Sequence, residues 1–412
     1  MIHARDFKLD VRRAFITRRS FVGSLLASGA FAAIGTHNYG FGADGASTAK
    51  SPTSSVVVDA NTWPMFRGDP QSRGVAISEL PDELDLLWKY RVENGAFEGT
   101  AAIANGVAYI GDLDGSLFAL DLETGKLLWQ SKQSELGFGT SPAVHGDRLY
   151  LGDYDGVFYC LGTDKGDVKW KFTAEAEINS SANFYQDNVL FGSQDASLYC
   201  LNADTGELVW KYTIEDQIRC MPSLIENRAF VAGCDSRLHV IDVEKGESAV
   251  DVEIDVPTMV TPAADGDFVY FGTESGTFYA INWRTAKVAW RFQDDSSSLA
   301  FRSSAAVSGK FVVVGGRSKR VYALDAETGD TRWEFVTRRN VDSSPVIAGQ
   351  RVYVGSADGR LYCLELETGK KVWEYETGGR LSAAPAIAAG RLLIASDDGV
   401  VYCFGKRLKT ND

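Results

Sequence analysis

The sequence has 412 residues, enough for two or three ordinary domains, and it is acidic, with 55 Asp and Glu against 42 Lys and Arg and a net charge of −13. An acidic chain repels phosphate backbones, so we expect no nucleic acid among its partners. Its 41 Gly, abundant aromatic residues and only 10 Pro are typical of a β-rich globular protein and exclude a collagen-like or disordered chain.

The N-terminal stretch, residues 1–43, has the features of an export signal. Arg18 and Arg19 precede a mildly apolar, Ala/Gly-rich run that ends near Gly35, and this run is too short and too rich in Gly for a comfortable membrane span. The paired arginines resemble the twin-arginine signal, which carries folded proteins across the bacterial inner membrane. We expect export to the periplasm or another extracytoplasmic compartment and no membrane span in the mature form. An uncleaved anchor and a basic tail of no consequence are the alternatives.

Two non-repeated segments follow the export signal. Residues 44–60 are rich in Ser, Thr and Ala and are predicted to form a linker. Residues 61–85, the lead-in segment, are dense in turn-forming residues but also contain Trp63 and Phe66. Because large rings need burial, we expect the lead-in segment to pack on the first repeat or across one end of the domain that follows.

Repeats occupy residues 86–405. The best copy, Gly115 to Trp129, has an apolar run, the turn sequence Asp-Leu-Glu-Thr-Gly and a second apolar run, which is typical of a β-hairpin. Its last position recurs about every 40 residues, at Trp88, Trp129, Trp170, Trp210, Val250, Trp290, Trp333 and Trp373. A period near 40 residues with about four short strands per period predicts the blades of a β-propeller.

The predicted fold is therefore all-β: an eight-bladed β-propeller with four antiparallel strands per blade. The first full unit is assigned strands over 99–104, 107–111, 117–120 and 127–131. The strand over 86–92 has no hairpin of its own, and the last set of strands lacks an outer one. Since an unclosed ring exposes strand edges, we predict that this N-terminal strand completes the last blade, leaving residues 406–412 as a C-terminal tail.

Propeller geometry divides the loops between two faces. If the strands of a blade are lettered A to D from the axis outward, the D–A and B–C loops share one face, which we call the mouth face. The Asp-x-x-Thr-Gly turns join strands C and D and lie on the opposite face. The most repeated hairpin is therefore predicted to be structural, and function is expected at the mouth.

The hairpin that ends at Trp129, with its copies ending at Trp333 and Trp373, resembles the tryptophan-docking repeat of pyrroloquinoline-quinone (PQQ)-type propellers. The lead-in sequence from Trp63 is similar to that of bacterial members. The resemblance implies that the seven repeat tryptophans dock neighbouring blades. It leaves the function open, because the family includes quinoprotein dehydrogenases as well as non-enzymatic propellers similar to the lipoprotein of the outer-membrane β-barrel assembly machine. Two units depart from the repeat, with Val250 in place of Trp and Ala286 in place of Gly, so we expect a looser interface at the fifth blade.

Cysteine and histidine are scarce in the repeats. Four cysteines share one repeat position and are interpreted as small buried hydrophobes: Cys160, Cys200, Cys363 and Cys403. Cys220 and Cys234 flank a predicted hairpin turn and could form a disulfide in an oxidising compartment. His145 and His239 are interpreted as structural, because neither a nucleophile–base pair nor a metal-type spacing accompanies them.

One position differs in nearly every repeat and stands just before each innermost strand. It holds Glu98, Gly139, Asn179, Arg219, Met259, Arg302, Asp342 and Ser382, which we call the mouth ring. Residues shared by all repeats maintain the fold, whereas variable ones are free for function. We predict binding by Glu98, Asn179, Arg219, Arg302 and Asp342; the alternative is a hydrated ring whose members pair with each other.

The mouth ring resembles the quinone site of the dehydrogenases in residue type. The resemblance implies Glu, Asn and Asp around Ca²⁺ and an Arg beside the quinone. The sequence lacks the adjacent Cys-Cys pair of those enzymes and has no unassigned Trp for the mouth, because Trp283 falls in a turn on the opposite face.

Charges on the remaining mouth loops are unevenly distributed. The early blades contribute acidic residues, Glu93, Glu135, Glu175, Glu177, Glu215, Asp216 and Asp255, and the last three blades contribute basic ones, Arg317, Lys319, Arg338, Arg339 and Arg380. We call Arg338, Arg339 and Arg380 the basic rim. Such a face favours one orientation of a charged partner.

These features predict an exported, monomeric and non-catalytic propeller, without metal or cofactor, that serves as a protein-binding or assembly scaffold. Its partner is expected to be another periplasmic or envelope protein. The alternatives are a small PQQ-dependent oxidoreductase, which would carry PQQ with calcium, and a ligand- or carbohydrate-binding propeller.

Overall fold

The computed structural model describes residues 56–407. The predicted signal peptide and most of the predicted linker and tail lie outside the described residues. Within 56–407 the chain forms eight small sheets arranged as an eight-bladed β-propeller, which confirms the predicted fold. No helix in this part of the chain is long and apolar enough to cross a bilayer.

The first four blades each consist of four consecutive antiparallel strands, ordered from the axis outward. Blade 1 contains β3 (Ala102–Ala104), β4 (Val107–Gly111), β5 (Ser116–Asp121) and β6 (Leu127–Lys132). Blade 2 contains β7 (Ala143–His145), β8 (Arg148–Gly152), β9 (Val157–Gly162) and β10 (Val168–Thr173). Blade 3 contains β11 (Asn183–Tyr185), β12 (Asn188–Ser193), β13 (Ser197–Asn202) and β14 (Leu208–Thr213). Blade 4 contains β15 (Ser223–Ile225), β16 (Arg228–Ala232), β17 (Arg237–Asp242) and β18 (Glu247–Glu253).

The next three blades follow the same order. Blade 5 contains β19 (Ala263–Asp265), β20 (Phe268–Gly272), β21 (Thr277–Asn282) and β22 (Lys287–Gln293). Blade 6 contains β23 (Ala306–Ser308), β24 (Phe311–Gly316), β25 (Arg320–Asp325) and β26 (Thr331–Val336). Blade 7 contains β27 (Val346–Ala348), β28 (Arg351–Ser356), β29 (Arg360–Glu365) and β30 (Lys371–Glu376), and the short β1 (Val75–Ala76) pairs in parallel with β27.

Blade 8 is assembled from both ends of the propeller sequence. Its inner strands are β31 (Ala386–Ala388), β32 (Arg391–Ser396) and β33 (Val400–Gly405), and its outer strand is β2 (Asp85–Arg91). Strand β2 pairs antiparallel with β33, with Trp88 opposite Cys403. The N-terminal strand therefore closes the ring, as predicted, and no blade is left without an outer strand.

Burial explains why the strands differ in sequence. The middle strands are apolar throughout because neighbouring blades cover both of their faces; in β13 every residue except the last is buried. The outer strand β14 instead alternates between exposed and half-buried residues. The middle strand β13 thus contributes to two of the hydrophobic clusters that fill the spaces between blades.

The repeat tryptophans connect each blade to the next. In the first interface, Trp88 Nε1 donates to the carbonyl of Leu122 (3.0 Å), and the Trp88 ring lies against Gly125, where a Cβ would stand 2.4 Å from a ring atom. The same donation to the following turn is made by Trp129, Trp170, Trp210, Trp290 and Trp333. Trp373 differs because blade 8 lacks this turn; its ring packs on Phe404 with centroids 5.5 Å apart.

The interface between blades 4 and 5 was expected to be looser, but a tryptophan of the fifth blade supplies the missing ring. Trp283 lies in the turn after β21, is buried, and packs on Phe230 of blade 4 with centroids 5.5 Å apart. Its Nε1 donates to the carbonyl of Gly266 (3.0 Å). Val250 and Ala286 pack against the same cluster. In this interface the large indole side chain is therefore supplied by blade 5, whereas in the other docked interfaces it comes from the preceding blade.

The lead-in segment runs once around the end of the ring opposite the mouth. Its carbonyls, from Trp63 to Gly74, accept hydrogen bonds from the inner strands of blades 1 to 7. The carbonyl of Ala60 and the hydroxyl of Ser78 accept from the turn after β31 in blade 8. Val56, inside the predicted linker, is also buried, so ordered packing begins before residue 60.

Candidate functional site

The mouth of the propeller is a cup of about 200 Å³. All eight positions of the predicted mouth ring line it, each supplied by the loop that precedes an inner strand. Phe66 of the lead-in segment also lines the cup, and because the rest of that segment lies across the other end, Phe66 forms the floor. The structure therefore brings the sequence-predicted residues together; their binding role stays a prediction.

Two charged members of the mouth ring are neutralised by direct neighbours. The guanidinium of Arg302 makes a two-pronged ion pair with Glu274, with N–O distances of 3.0 and 2.8 Å. The carboxylate of Asp342 receives two hydrogen bonds from Arg317, at 3.0 and 3.1 Å. Bidentate pairs of this kind hold both side chains in place. Arg302 and Asp342 are therefore paired with residues outside the mouth ring and not with each other.

A second set of residues surrounds the mouth ring, and it was not predicted as a set, although Arg317 and Cys234 were noted in the sequence for other reasons. Each follows the second strand of its blade, in the B–C loop: Leu113, Tyr154, Gln194, Cys234, Glu274, Arg317, Ala357 and Asp397. Several pair directly with ring members, as Gln194 does with Asn179 and Asp397 with Ser382. This set also varies from repeat to repeat, so the signal that identified the mouth ring could have identified it too.

Glu98 is the ring carboxylate without a cationic partner among the described residues. Its Oε2 accepts a hydrogen bond from the hydroxyl of Tyr154 in the next blade at 3.3 Å. The Tyr154 ring can lie there because position 139 is Gly, where a Cβ would stand 1.9 Å from the tyrosine hydroxyl. Burial and the adjacent Glu98 carboxylate both raise the pKa of Tyr154. The phenol is therefore a hydrogen-bond donor at neutral pH and not a base.

Arg219 is the ring guanidinium without an anionic partner in the part of the chain that the structure describes. Its Nε donates to Gln217 Oε1 (2.9 Å), its Nη2 to Gln194 Oε1 (3.0 Å) and its Nη1 lies 3.5 Å from the sulfur of Met259. All three contacts are to uncharged groups. The side chain is half-buried, held on three sides and not neutralised at contact distance.

Hydroxyl groups form the wall of the cup below the mouth ring. Each accepts a hydrogen bond from a backbone amide of the preceding blade; for example, the Thr100 amide donates to Ser141 Oγ (2.8 Å) and the Ser141 amide to Ser181 Oγ (3.0 Å). Thr261, Ser304, Ser344 and Thr100 accept in the same way. These bonds join neighbouring blades at the inner end of the mouth.

Beneath the cup, Arg67 is completely buried. Its Nη2 donates to the carbonyls of Ala305 (3.0 Å) and Pro345 (2.6 Å), and its Nε and Nη1 meet no partner among the described residues. Burial lowers the pKa of Arg67 to about 9, with the nearby Asp69 acting in the opposite direction. A buried charge of this kind is costly in free energy. The two hydrogen bonds of Arg67 connect the lead-in segment to blades 6 and 7.

The basic rim is exposed at the edge of the mouth face. Within the described part of the chain, the side chains of Arg338 and Arg339 form no ion pair, while Arg380 Nε lies 3.7 Å from Asp397. The acidic residues of blades 1 to 4 are exposed as well. On the mouth face these acidic residues therefore lie on the early blades and the basic rim on the last ones, where Asp358, Asp397 and Asp398 also lie.

The cysteines are poor nucleophiles in this environment. All six are free thiols in the structure, Cys220 and Cys234 included. Burial raises the pKa of Cys200 and of Cys220 to about 12, and it also raises that of Cys234. Protonated thiols at neutral pH have little reactivity.

The two histidines of the repeat region lie in the sheets. His145 packs on the ring of Phe184, with centroids 5.0 Å apart. His239 replaces a tyrosine that recurs in strand C, and its Nε2 and Nδ1 each lie 2.9 Å from a carboxylate, of Asp235 and Asp251. In the described part of the chain, no group of three or more His, Cys, Asp or Glu residues is placed to hold a metal ion.

Three overlapping stretches of the chain, residues 81–223, 216–344 and 317–407, match the sequence profile of a family described as outer membrane protein assembly factor BamB. They span the whole propeller. The chain belongs to this family. The resemblance first seen in the Trp-ended hairpins is thereby confirmed, although no curated protein sequence matches the chain significantly.

Solved structures with the same fold include a BamB and a dehydrogenase. BamB from Moraxella catarrhalis is 19% identical with a TM-score of 0.68, covering 80% of this chain and 100% of its own. The computationally designed Ika8 protein is 17% identical (TM-score 0.70; 78% and 99%), and the quinohemoprotein alcohol dehydrogenase from Comamonas testosteroni is 14% identical (TM-score 0.72; 85% and 82%). At these identities the likeness to BamB and to the enzyme shows the fold alone.

Proposed function

We propose that this BamB-family propeller is an extracytoplasmic, non-catalytic scaffold that binds another envelope protein through its mouth face. The observation that carries the proposal is the placement of exposed acidic residues on the early blades of that face and of the basic rim on the last ones, where Arg338 and Arg339 form no ion pair within the described chain. Complementary charge on a partner would speed its association and set its orientation. Membership of a family described as an outer membrane assembly factor supports the envelope as the location.

The donors around the mouth do not suit the calcium and quinone of the dehydrogenases. Ca²⁺ takes six to eight oxygen ligands, several of them carboxylates, but Asp342 is already bound by Arg317, which leaves Glu98 as the one ring carboxylate without a cationic partner among the described residues. The cup, at about 200 Å³, is also smaller than pockets that enclose a drug-sized molecule, which range from roughly 300 to 1,000 Å³. We therefore derive no reaction for the mouth.

The proposal is tested by reversing the basic rim. The variant R338E/R339E/R380E and the wild-type chain are each used to capture partners from a solubilised envelope extract, and the affinity for the recovered partner is measured against salt concentration. We expect the variant to bind more weakly and to lose most of the salt dependence, because the rim cations supply the long-range attraction.

The matched control reverses three exposed lysines on the opposite face, Lys126, Lys165 and Lys370. It changes the net charge equally and should leave partner binding unaltered. Equal salt dependence in wild type and rim variant would contradict the proposal. So would saturable uptake of PQQ with Ca²⁺ that is abolished by D342N.

A further inference from the structure

The cup at the mouth presents hydrogen-bond donors in an arrangement that suits one chemical group. We propose that it binds a carboxylate, anchored by the guanidinium of Arg219. This inference refines the proposed scaffold function, because the C-terminus or an acidic side chain of a partner would provide the carboxylate. It can nevertheless be tested without any partner.

Arg219 is the cation that the ring leaves available. Arg302 is neutralised by Glu274 through a two-pronged ion pair, so it offers little to a second anion. Arg219 contacts only the amide oxygens of two glutamines and a methionine sulfur within the described chain. Its positive charge is thus half-buried without a carboxylate in contact, and an incoming anion would supply the missing charge.

The remaining donors of Arg219 match a carboxylate. A guanidinium has five N–H groups, and three of them are used, one on each nitrogen. One N–H therefore remains on each terminal nitrogen, so Arg219 can still donate to an incoming carboxylate, whose two oxygens can accept from one guanidinium. The three existing contacts also fix the side chain before binding, which lowers the entropy cost of complex formation.

The wall of the cup adds further donors. Six hydroxyl oxygens line it and accept backbone hydrogen bonds from the preceding blade: Thr100, Ser141, Ser181, Thr261, Ser304 and Ser344. Among the described residues none of these hydroxyls donates to a protein acceptor. Because a hydroxyl has one hydrogen to give, the wall can donate to an anion that enters the cup.

Size and charge limit what the cup can accept. Its volume of about 200 Å³ over the Phe66 ring has room for a terminal group but not for a large ligand. Glu98 also lines the cup and has no cationic partner among the described residues. The negative charge of Glu98 repels a doubly charged phosphate more than a singly charged carboxylate. Charge in the cup therefore favours the carboxylate.

The test uses the full chain and short peptides. Acetyl-Ala-Ala-Ala with a free C-terminus, the same peptide as its C-terminal amide, and acetate are titrated into wild type, R219Q, R219K and R291Q. Calorimetry gives the affinity, and thermal melting confirms that each variant is folded. Arg291 lies on an outer strand in an exposed ion pair, so R291Q is the control for the loss of one positive charge.

We expect the peptide acid to bind and the amide not to bind. In R219Q, removal of a charged hydrogen-bonding group should weaken binding roughly tenfold to a hundredfold. R219K keeps the charge but not the planar fork, so its affinity should fall less. R291Q should bind the peptide acid as wild type does. Tighter binding of the peptide than of acetate indicates a chain terminus as the natural source, and equal affinities indicate a small free carboxylate; both outcomes support the site. Equal binding of acid and amide, no binding of either carboxylate, or wild-type affinity in R219Q overturns it.

The results also separate this inference from the scaffold function. If the peptide acid fails to bind while partner capture still depends on the basic rim, the carboxylate site alone is refuted. If the peptide acid binds but reversal of the rim has no effect on partner capture, the proposed scaffold function is refuted and the site stands.

Discussion

At the scale of single residues, the docking turns require glycine. Gly206, in the turn of blade 3, has φ of 74°, and a Cβ there would stand 2.6 Å from the ring of Trp170. Ala at this position would face both the left-handed backbone strain and the indole ring. We expect G206A to lower the free energy of unfolding by about 2–4 kcal/mol, measured by chemical denaturation.

Ala286 provides the matched control for Gly206. It occupies the same turn position in blade 5, with φ of 55°, but Val250 stands where the docking Trp would be. A286G relieves backbone strain without removing a ring contact, so it should be neutral or stabilising by at most about 1 kcal/mol. A G206A variant as stable as wild type would contradict the docking role of the turn.

His239 gives a prediction about pH. Burial of Asp235 opposes its ionisation, but the hydrogen bond and charge of His239, together with the Glu215 backbone amide and the charge of Arg237, outweigh that effect and lower the pKa of Asp235 below its usual value near 3.8. A carboxyl whose folded-state pKa is depressed adds stability above its unfolded pKa, and this stability is lost as the pH falls through the folded value. H239F removes the two largest causes that lower the pKa of Asp235 and leaves the weaker ones.

Wild type should therefore be more stable than H239F at pH 5, and the difference should shrink as the pH falls below about 4. Urea unfolding of both proteins between pH 5 and 2.5 measures it. H145F is the control, because His145 lies in blade 2 and Asp235 in blade 4. Any difference in stability between wild type and H145F should not shrink in the same way as the pH falls. If wild type became more stable relative to H239F as the pH fell, the stabilisation of the Asp235 carboxylate by His239 would be contradicted.

At the scale of elements, closure of the ring depends on β2. This strand is the outer strand of blade 8, paired with β33 over almost its whole length, and Trp88 connects blade 8 to blade 1. Deletion of residues 84–92 removes both links and exposes the edge of β33. We expect a melting temperature at least roughly 10 °C lower, since several kcal/mol of burial and hydrogen bonding are lost.

The control for that deletion is R91A. Arg91 is exposed, and its pair with Asp398, at 3.6 Å, is of the surface type that contributes little. Its melting temperature should stay close to that of wild type. An unchanged melt in the deletion variant would show that the ring does not depend on β2 for closure.

The repeat allowed the elements to be predicted because each blade repeats the same physical pattern. The prediction erred where that pattern meets a neighbouring blade: strand A of blade 1 was expected from residue 99, but β3 begins at Ala102. The amide of Thr100 is bonded to the hydroxyl of Ser141 in blade 2 and not to the strand ladder. Trp283 is a similar case. The repeat shows that the docking Trp is absent at Val250, but it does not show that a Trp of the next blade fills the same interface.

At the scale of the whole molecule, the mouth ring could be predicted, but the pairing of its side chains could not. Equivalent positions of a closed ring must meet at the axis, so their convergence follows from the period alone. The pairs that set their charge, such as Arg317 with Asp342, join loops of different blades and depend on side-chain reach. The path of the lead-in segment was equally beyond prediction, because it occurs once and binds mainly through backbone carbonyls.

The lead-in segment covers the end of the propeller opposite the mouth. It bonds to all eight blades on the side of the A–B turns, and Phe66 closes the cup from below. Within the described residues, the axis is therefore covered at this end and open at the mouth. Variable residues, uncompensated Arg219 and the unevenly distributed charges all lie on the mouth face, which is why we assign function to it.

Hydrogen–deuterium exchange of the protein with its captured partner tests this assignment most directly. We predict slower exchange in the mouth loops, including residues 338–342 and 379–382, and no change in the docking turns such as 121–125. Protection of the docking turns or of the outer strands, with the mouth loops unaffected, would contradict the assignment.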